Sequence, residues 1–272
     1  MALIFSISDI HGYSQPLEEA LTLVDLESDS QNKLILCGDY IDYGPDSCKV
    51  LYKIKSLVES YPDQVIVLMG NHEYRFLEFL NAGGHNLWSV EWLSTDMNFT
   101  TINSFISEST KEKIFGISKD KGYHDYLLDI SKIIKKDVLT NHAGLIKWIK
   151  GMLLYYETPK AIYVHAGIDE EAEEYWKHGT PDEYFLSKYP ATFGKFHKDI
   201  IAGHIGTSSL AKGKKFHDIY WDGDNHFFID GEVNRSGCIP VLKYNTTTSR
   251  YSSFKKKRDG QGSYFFQEYV IK

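Results

Sequence analysis

The sequence predicts an α/β fold, and three observations carry that reading. Five short apolar runs each stop abruptly at an Asp, Asn or His beside a glycine. The stretches between the first three runs place apolar residues at helical spacing. From about residue 216 onward, short alternating runs return, punctuated by Asp222-Gly223, Asp230-Gly231 and Asp259-Gly260, which are turn signals. Runs this short, rich in Ile, Val and Leu and bounded by glycine, read as buried strands rather than helices.

The first run, Leu3 to Ile7, meets Ser8-Asp9-Ile10-His11-Gly12. Pro16 to Leu26 follows as a helix with Leu17, Ala20, Leu21 and Val24 on one face. Leu34 to Leu36 leads into Gly38-Asp39-Tyr40-Ile41-Asp42, and Val50 to Val58 repeats Leu51, Ile54, Leu57 and Val58 as a second helix. Val65 to Met69 then leads into Gly70-Asn71-His72-Glu73, giving β–α–β–α–β up to about residue 75. The segment from about 83 to 158 differs: it carries Trp88, Trp92 and Trp148 and Lys-rich helical stretches such as Ser131 to Lys136. It reads as a mostly helical insertion beside the strand ends. Ala161 to Val164 ends at His165-Ala166-Gly167, and Ile200 to Ala202 ends at Gly203-His204. The tail reads as antiparallel strands completing a second sheet. With no repeat, linker or composition break, one domain spanning 1–272 is expected.

Composition narrows the function. The 272 residues hold 30 Lys+Arg against 37 Asp+Glu, a net charge of −7, with only four Arg. That balance argues against a nucleic-acid or anionic-membrane partner. Three scattered cysteines, Cys37, Cys48 and Cys238, form neither a disulfide framework nor a zinc cage and suit a reducing compartment. The first apolar run meets Asp9 within a few residues and follows no basic leader, so it does not read as a signal peptide. A cytoplasmic setting is expected.

Ligands of α/β sheets gather at the carboxyl ends of strands, so five polar strand ends predict one site assembled from five places. Asp9 and His11, two apart in extended chain, point the same way and can reach one cation. Asp39 can bridge two cations, Asn71 offers an amide oxygen, and His165 and His204 offer imidazoles. Mixed carboxylate, amide and imidazole donors suit Mn²⁺, Fe or Zn²⁺. Two such ions ~3.5–4 Å apart activate water and hold a phosphoryl group for in-line attack.

The ordered set resembles the calcineurin-like metallophosphoesterases, in particular their phosphoprotein-phosphatase branch. That branch carries D-x-H-G, G-D-x-x-D-R-G, G-N-H-E, H-A/G-G and G-H-T in this order. Here they stand as Asp9-Ile10-His11-Gly12, Gly38-Asp39-Tyr40-Ile41-Asp42-Tyr43-Gly44, Gly70-Asn71-His72-Glu73, His165-Ala166-Gly167 and Gly203-His204-Ile205. The resemblance implies a sandwich of two mixed β-sheets flanked by helices. It implies one metal on Asp9, His11 and Asp39, and a second on Asp39, Asn71, His165 and His204. His72 would be the general acid, with Asp42 holding its imidazole. Two divalent ions, two ligand carboxylates and one hydroxide leave about +1, a fair host for a phosphate dianion.

The resemblance implies a metal-dependent phosphatase acting on phosphomonoesters, with phosphoprotein the expected substrate; Gly-Asn-His-Glu leans that way. The alternative is a dinucleoside polyphosphate hydrolase, for which aromatics around Trp88 and Trp148 would supply a base-stacking wall. A non-catalytic metal-binding sensor is the third reading. Relatives of nuclease type carry G-H-x-H, and here the last position is Gly206. The pattern breaks at Tyr43, where the family has an Arg that grips phosphate. Arg75, three residues past His72, is the expected substitute. Asn141-His142-Ala143-Gly144 imitates the His165 motif but reads as a helix start. Lys255-Lys256-Lys257-Arg258 reads as a solvated hairpin end, and His226 as a surface or cap group.

Overall fold

Alternation along β1 (Leu3–Ile7) sets the layers of the molecule. Phe5 and Ile7 face one way, into a core shared with helices, while Ile4 faces the other way, toward a second sheet. Strand β2 (Lys33–Leu36) repeats the division, Leu34 and Leu36 against Ile35. In β5 (Ala161–Val164) and β6 (Asp199–Ala202), Tyr163 and Ile201 meet that same middle layer, and Ile162, Val164, Ile200 and Ala202 face outward. Strands buried on both faces explain why these runs are continuously apolar.

The computed structural model describes residues 2–81, 90–117, 122–213 and 215–272, and the backbone alone of 96 and 97. Two mixed sheets pack face to face. The first has six strands in the order β11-β10-β9-β1-β2-β3, with β3 at Val65–Val67; the second has five, β4-β5-β6-β8-β7. β1, β2 and β3 run parallel, as do β5, β6 and β8. β8 is His226–Phe228, and β4 (Tyr155–Glu157) and β7 (Tyr220–Trp221) pair antiparallel beside it and β5.

The tail departs from expectation. Only β7 and β8 complete the second sheet; the chain then returns to the first. There β9 (Leu242–Asn245) pairs antiparallel with β1, followed by β10 (Arg250–Arg258) and β11 (Tyr264–Val270). Alternation marks a strand and its buried face, and Leu242 and Tyr244 face the middle layer from either sheet alike. The pattern therefore does not tell which sheet a tail strand joins. Lys255–Arg258 do form the outer end of the β10–β11 hairpin.

Helix α1 is Ser14–Leu21, two residues earlier than expected and shorter at its far end. Pro16 sits in its first turn, where a missing N–H costs nothing, and Leu23 and Val24 fold back in a turn on Ala20 and Leu21. α2 spans Ser47–Ser60 and α3 spans Asn71–Asn81. The insertion is helical, as expected: α4 (Asp96–Phe105), α5 (Glu108–Phe115), α6 (Tyr123–Asn141) and α7 (Ala143–Ile149). Ile102, Phe105, Ile130, Ile134 and Leu145 join the same core as Phe5, Leu34 and Val50, so these helices cover the outer face of the first sheet. His142 stands at the start of α7; its Nε2 donates to the Phe105 carbonyl (2.9 Å) and its Nδ1 accepts from the Tyr52 hydroxyl (2.9 Å). No helix among the described residues is long and apolar enough to cross a membrane.

One polar link ties the sheets together. Asp199 of β6, fully buried, accepts from the Tyr251 hydroxyl of β10 (2.9 Å), Asn225 (2.8 Å), Lys160 (3.0 Å) and Lys272 (3.0 Å). Replacing it strands a buried phenol and amide, so Asp199→Ala is expected to cost about 2–4 kcal/mol. Urea unfolding of the metal-free protein checks this; an unchanged midpoint would show the link to be idle.

Candidate metal centre

The carboxyl ends of the two parallel strand sets meet. Within the first sheet the Asp9 amide donates to the Gly38 carbonyl (3.1 Å), and within the second the Gly203 amide donates to the His165 carbonyl (2.8 Å). The His204 amide, donating to Asp9 Oδ2 (3.1 Å), joins the two sets. A Cβ at Gly70 would stand 2.1 Å from Asp39 Oδ1, and one at Gly203 would stand 2.1 Å from Asp9 Oδ2. Those two positions demand glycine because the carboxylates fill the space. Asp9, His11, Asp39, Asp42, Tyr43 and His204 all adopt positive φ, between 48° and 72°, a concentration of backbone strain typical of functional sites.

All six expected ligand residues come together. His11 Nδ1 donates to the Ile41 carbonyl (2.9 Å), which turns its Nε2 toward Asp9 Oδ1 (3.8 Å) and Asp39 Oδ2 (4.0 Å). His165 Nδ1 donates to the Cys37 carbonyl (2.8 Å), leaving Nε2 beside Asn71 Oδ1 (2.9 Å) and Asp39 Oδ2 (3.3 Å). His204 Nδ1 also lies 3.1 Å from Asn71 Oδ1. With His165 Nδ1–H committed, Nε2 faces an amide oxygen and a carboxylate oxygen, an arrangement that needs a proton or a metal ion between them. Acceptors crowded face to face in this way suit a cation, and backbone carbonyls that fix the imidazole tautomers are the usual support for one. The donor set therefore fits metal ions at both places. Proximity alone forms two groups, His11–Asp39–His72 and Asp39–His165–His204, sharing Asp39.

His72 is distinguished by its other nitrogen. Nδ1 lies 2.6 Å from Asp42 Oδ2, while Nε2 is 3.7 Å from Asp39 Oδ2. Asp42 is fully buried, and its second oxygen accepts from the Thr101 hydroxyl of α4 (2.6 Å), so the insertion braces the pair. Burial would lower His72, but Asp39 and Asp42 outweigh it and raise it to about 9. His165 behaves alike, with burial outweighed by Asp39, and rises to about 10. At His11 and His204 burial wins, and both fall to about 4. Asp39 is held far below the carboxylate range: burial opposes ionisation, and the His165 and His72 imidazoles overcome it.

The cleft above these groups measures about 380 Å³ and is lined mainly by polar side chains. Tyr43 lines it edge-on to His11, with ring centroids 4.8 Å apart. Arg75 does not line it; it lies exposed on α3, close enough to help depress His204. Of the expected aromatic wall, Trp88 falls outside the described residues, and Trp148 packs half-buried against the core of the insertion. Glu73 points into the loop after β2, where its carboxylate accepts from the Asp39 and Tyr40 amides.

Five cleft residues escaped the sequence reading: Ser209, Asp230, Glu232, Asn234 and Arg235. The signal for Asp230 was present, since the apolar run Phe227–Ile229 ends at Asp230-Gly231 like the other five. It was read as a turn. His226, expected at the surface, is buried at the start of β8 with Nδ1 3.1 Å from Asp222 Oδ2.

Residues 3–228 match the calcineurin-like phosphoesterase family. The chain belongs to that family. It is 28% identical over 183 residues to a symmetrical bis(5'-nucleosyl)-tetraphosphatase of Wigglesworthia glossinidia brevipalpis, covering 65% of this chain and 62% of the relative. The chain thus spans less than two thirds of that relative's length. Two solved structures share the fold. A cold-active protein tyrosine phosphatase superposes with TM-score 0.56 at 14% identity, over 92% of this chain and 75% of its own. A protein described as a putative diadenosine tetraphosphatase superposes with TM-score 0.53 at 14% identity, over 92% of both chains. The family is described as phosphoesterases, and the residues gathered here fit a two-metal site.

Gly70→Ala is expected to displace the Asp39 carboxylate and weaken Mn²⁺ binding by roughly tenfold or more while leaving the far-ultraviolet circular dichroism intact. Calorimetric titration of metal into the stripped variant makes the measurement. Wild-type affinity would mean Asp39 is not a ligand.

Proposed function

We propose that the protein is a two-metal phosphatase that hydrolyses phosphomonoesters, with phosphoproteins as its substrate class. The observation that carries this is the His72–Asp42 pair, 2.6 Å apart and beside Asp39. In this reading Asp9, His11 and Asp39 hold one ion, and Asp39, Asn71, His165 and His204 the other, Mn²⁺ first, with Fe or Zn²⁺ possible. When bound, such a pair lowers the pKa of a water between the ions and takes up charge on the phosphoryl oxygens.

The chain's own residues supply the rest. Asp42 accepts the Nδ1 proton of His72, so Nε2 donates only when the ring is an imidazolium, the form that its raised pKa of about 9 favours at neutral pH. As water adds to phosphorus and the ester P–O bond breaks, the leaving oxygen takes the Nε2 proton. Asp42 stabilises the ring throughout, and Thr101 keeps Asp42 from turning. The polar lining of the cleft suits a phosphate better than a nucleobase. Three free cysteines accord with a cytoplasmic setting.

His72→Asn is expected to lower kcat about 10²- to 10⁴-fold on an alkyl phosphate. The loss should be much smaller on p-nitrophenyl phosphate, whose leaving group needs no proton. Equal losses on both would remove His72 as the acid. Because the protonated ring is the active form, kcat should fall as pH rises through the pKa of His72. That limb should lie at or below pH 9, since nearby cations pull the value down. Asp42→Asn removes a carboxylate that raises it and should move the limb to lower pH.

A second reading, hydrolysis of dinucleoside polyphosphates, is favoured by the name of the Wigglesworthia relative. Mn²⁺-loaded protein assayed on phosphopeptides and on diadenosine tetraphosphate separates the two. Phosphate release from phosphopeptides alone is the expected result; release of nucleotide products alone would overturn the phosphomonoester reading.

A further inference from the structure

The family grips substrate phosphate with an Arg at the position of Tyr43, and Arg75 does not line the cleft. A cation does line it: Arg235, in the helical turn Val233–Ser236 that follows β8. We infer that Arg235 is the phosphate-binding guanidinium of this protein, held in place by Glu232 and serving the part of the cleft beside Tyr43. The inference rests on the phosphatase reading for its substrate and deepens it by assigning the residue that recognises the phosphate.

Several observations converge on it. Arg235 Nη1 donates to Glu232 Oε1 (2.7 Å), which ties down one nitrogen of a guanidinium that is otherwise exposed and lines the cleft. Glu232 is itself fixed. Its Oε2 accepts from the Ser208 amide (3.2 Å) and lies 3.3 Å from His217 Nδ1, and its own backbone sits at φ 51°. Burial raises the Tyr43 hydroxyl, and Arg235 acts in the opposite sense, which places the guanidinium within electrostatic reach of that ring. Both line the cleft with Asp9, His11 and His204.

The glycine at 206 belongs to the same arrangement. A Cβ there would stand 2.7 Å from Glu232 Cγ and Cδ. A histidine two residues after His204 would collide with the carboxylate that holds Arg235, so the chain carries the anchored arginine in place of that histidine. Among the described residues, Arg235 is the arginine that lines the cleft. A planar guanidinium can hold two oxygens of one phosphate, which neither a Tyr hydroxyl nor a Lys ammonium reproduces.

The test is binding of inorganic phosphate to Mn²⁺-loaded protein by calorimetry, with turnover measured separately. Arg235→Ala should weaken phosphate binding about 10- to 100-fold and raise KM in step, with Mn²⁺ affinity unchanged. Arg235→Lys should restore part of the loss, since it returns the charge without the fork. Arg250→Ala makes the same charge change beside Asn245, at the end of the sheet away from the site, and should stay within about twofold of wild type. Phosphate affinity of Arg235→Ala within about twofold of wild type would overturn the assignment, as would wild-type protein that binds metal but no phosphate. Wild-type protein that binds phosphate through Arg235 but hydrolyses no phosphoester would sink the phosphatase reading and leave the assignment standing.

Discussion

The buried carboxylate of Glu73 accepts backbone N–H groups from Asp39 (2.9 Å), Tyr40 (2.8 Å), Ile41 (3.2 Å) and Gly70 (3.1 Å), fastening the loop after β2 to the start of α3. That loop carries Asp39, which belongs to both groups of metal-type ligands, and Asp42, which holds His72. It is also strained, with Asp39, Asp42 and Tyr43 in the left-handed region. Each such residue costs on the order of 1–3 kcal/mol. Four bonds to one buried carboxylate offset a cost of that size, because losing the acceptor would orphan four buried amides at once. The geometry of the whole centre therefore hangs on a side chain that touches neither metal nor substrate.

The four imidazoles of the centre divide by which force wins. His11 and His204 lose their proton to burial, whereas His72 and His165 keep theirs because carboxylates stand beside them. The proton on His165 occupies the place where its Nε2 meets Asn71 Oδ1 and Asp39 Oδ2. A metal ion bound there would compete with that proton and release it. In the proposed role of acid, His72 would escape this competition, because Asp42 holds its far nitrogen and the proton on Nε2 would remain available to a leaving group.

How much of this was legible follows from how local each feature is. The strands β1 and β5 have the bounds that their apolar runs give, and the six candidate ligand residues sit at the strand ends where glycine allows close approach. Those signals lie within a few residues of one another. The support for them does not. Thr101 reaches Asp42 from 59 positions away, and nothing around either residue announces the pairing. The crossing of the tail from one sheet to the other is equally silent, since a strand with one face on the middle layer has the same alternation in either sheet. Asp230 was hidden for another reason: Asp-Gly is so common at turns that its place at the end of a sixth parallel strand looked ordinary.

Charge decides why an arginine is needed at the cleft at all. Two divalent ions held against Asp9 and Asp39 would leave a small positive excess, which suits a phosphate dianion. The cleft also contains Asp230 and Glu232. Burial lifts Asp230 to about 6, which leaves it mostly ionised at neutral pH, so it cancels much of the excess. Glu232 would reverse the sign outright if it stood alone, and its bond to Arg235 neutralises it. A dianion entering this cleft is then drawn less by net charge than by directed N–H donors and by the metals themselves. Selectivity under those conditions comes from geometry, because a site near neutrality does not concentrate anions indiscriminately. An open, Lys-poor cleft with one anchored guanidinium would bind a phosphate for its shape, and in the proposed assignment that guanidinium, approaching from the other strand set, is what makes a Tyr at position 43 tolerable.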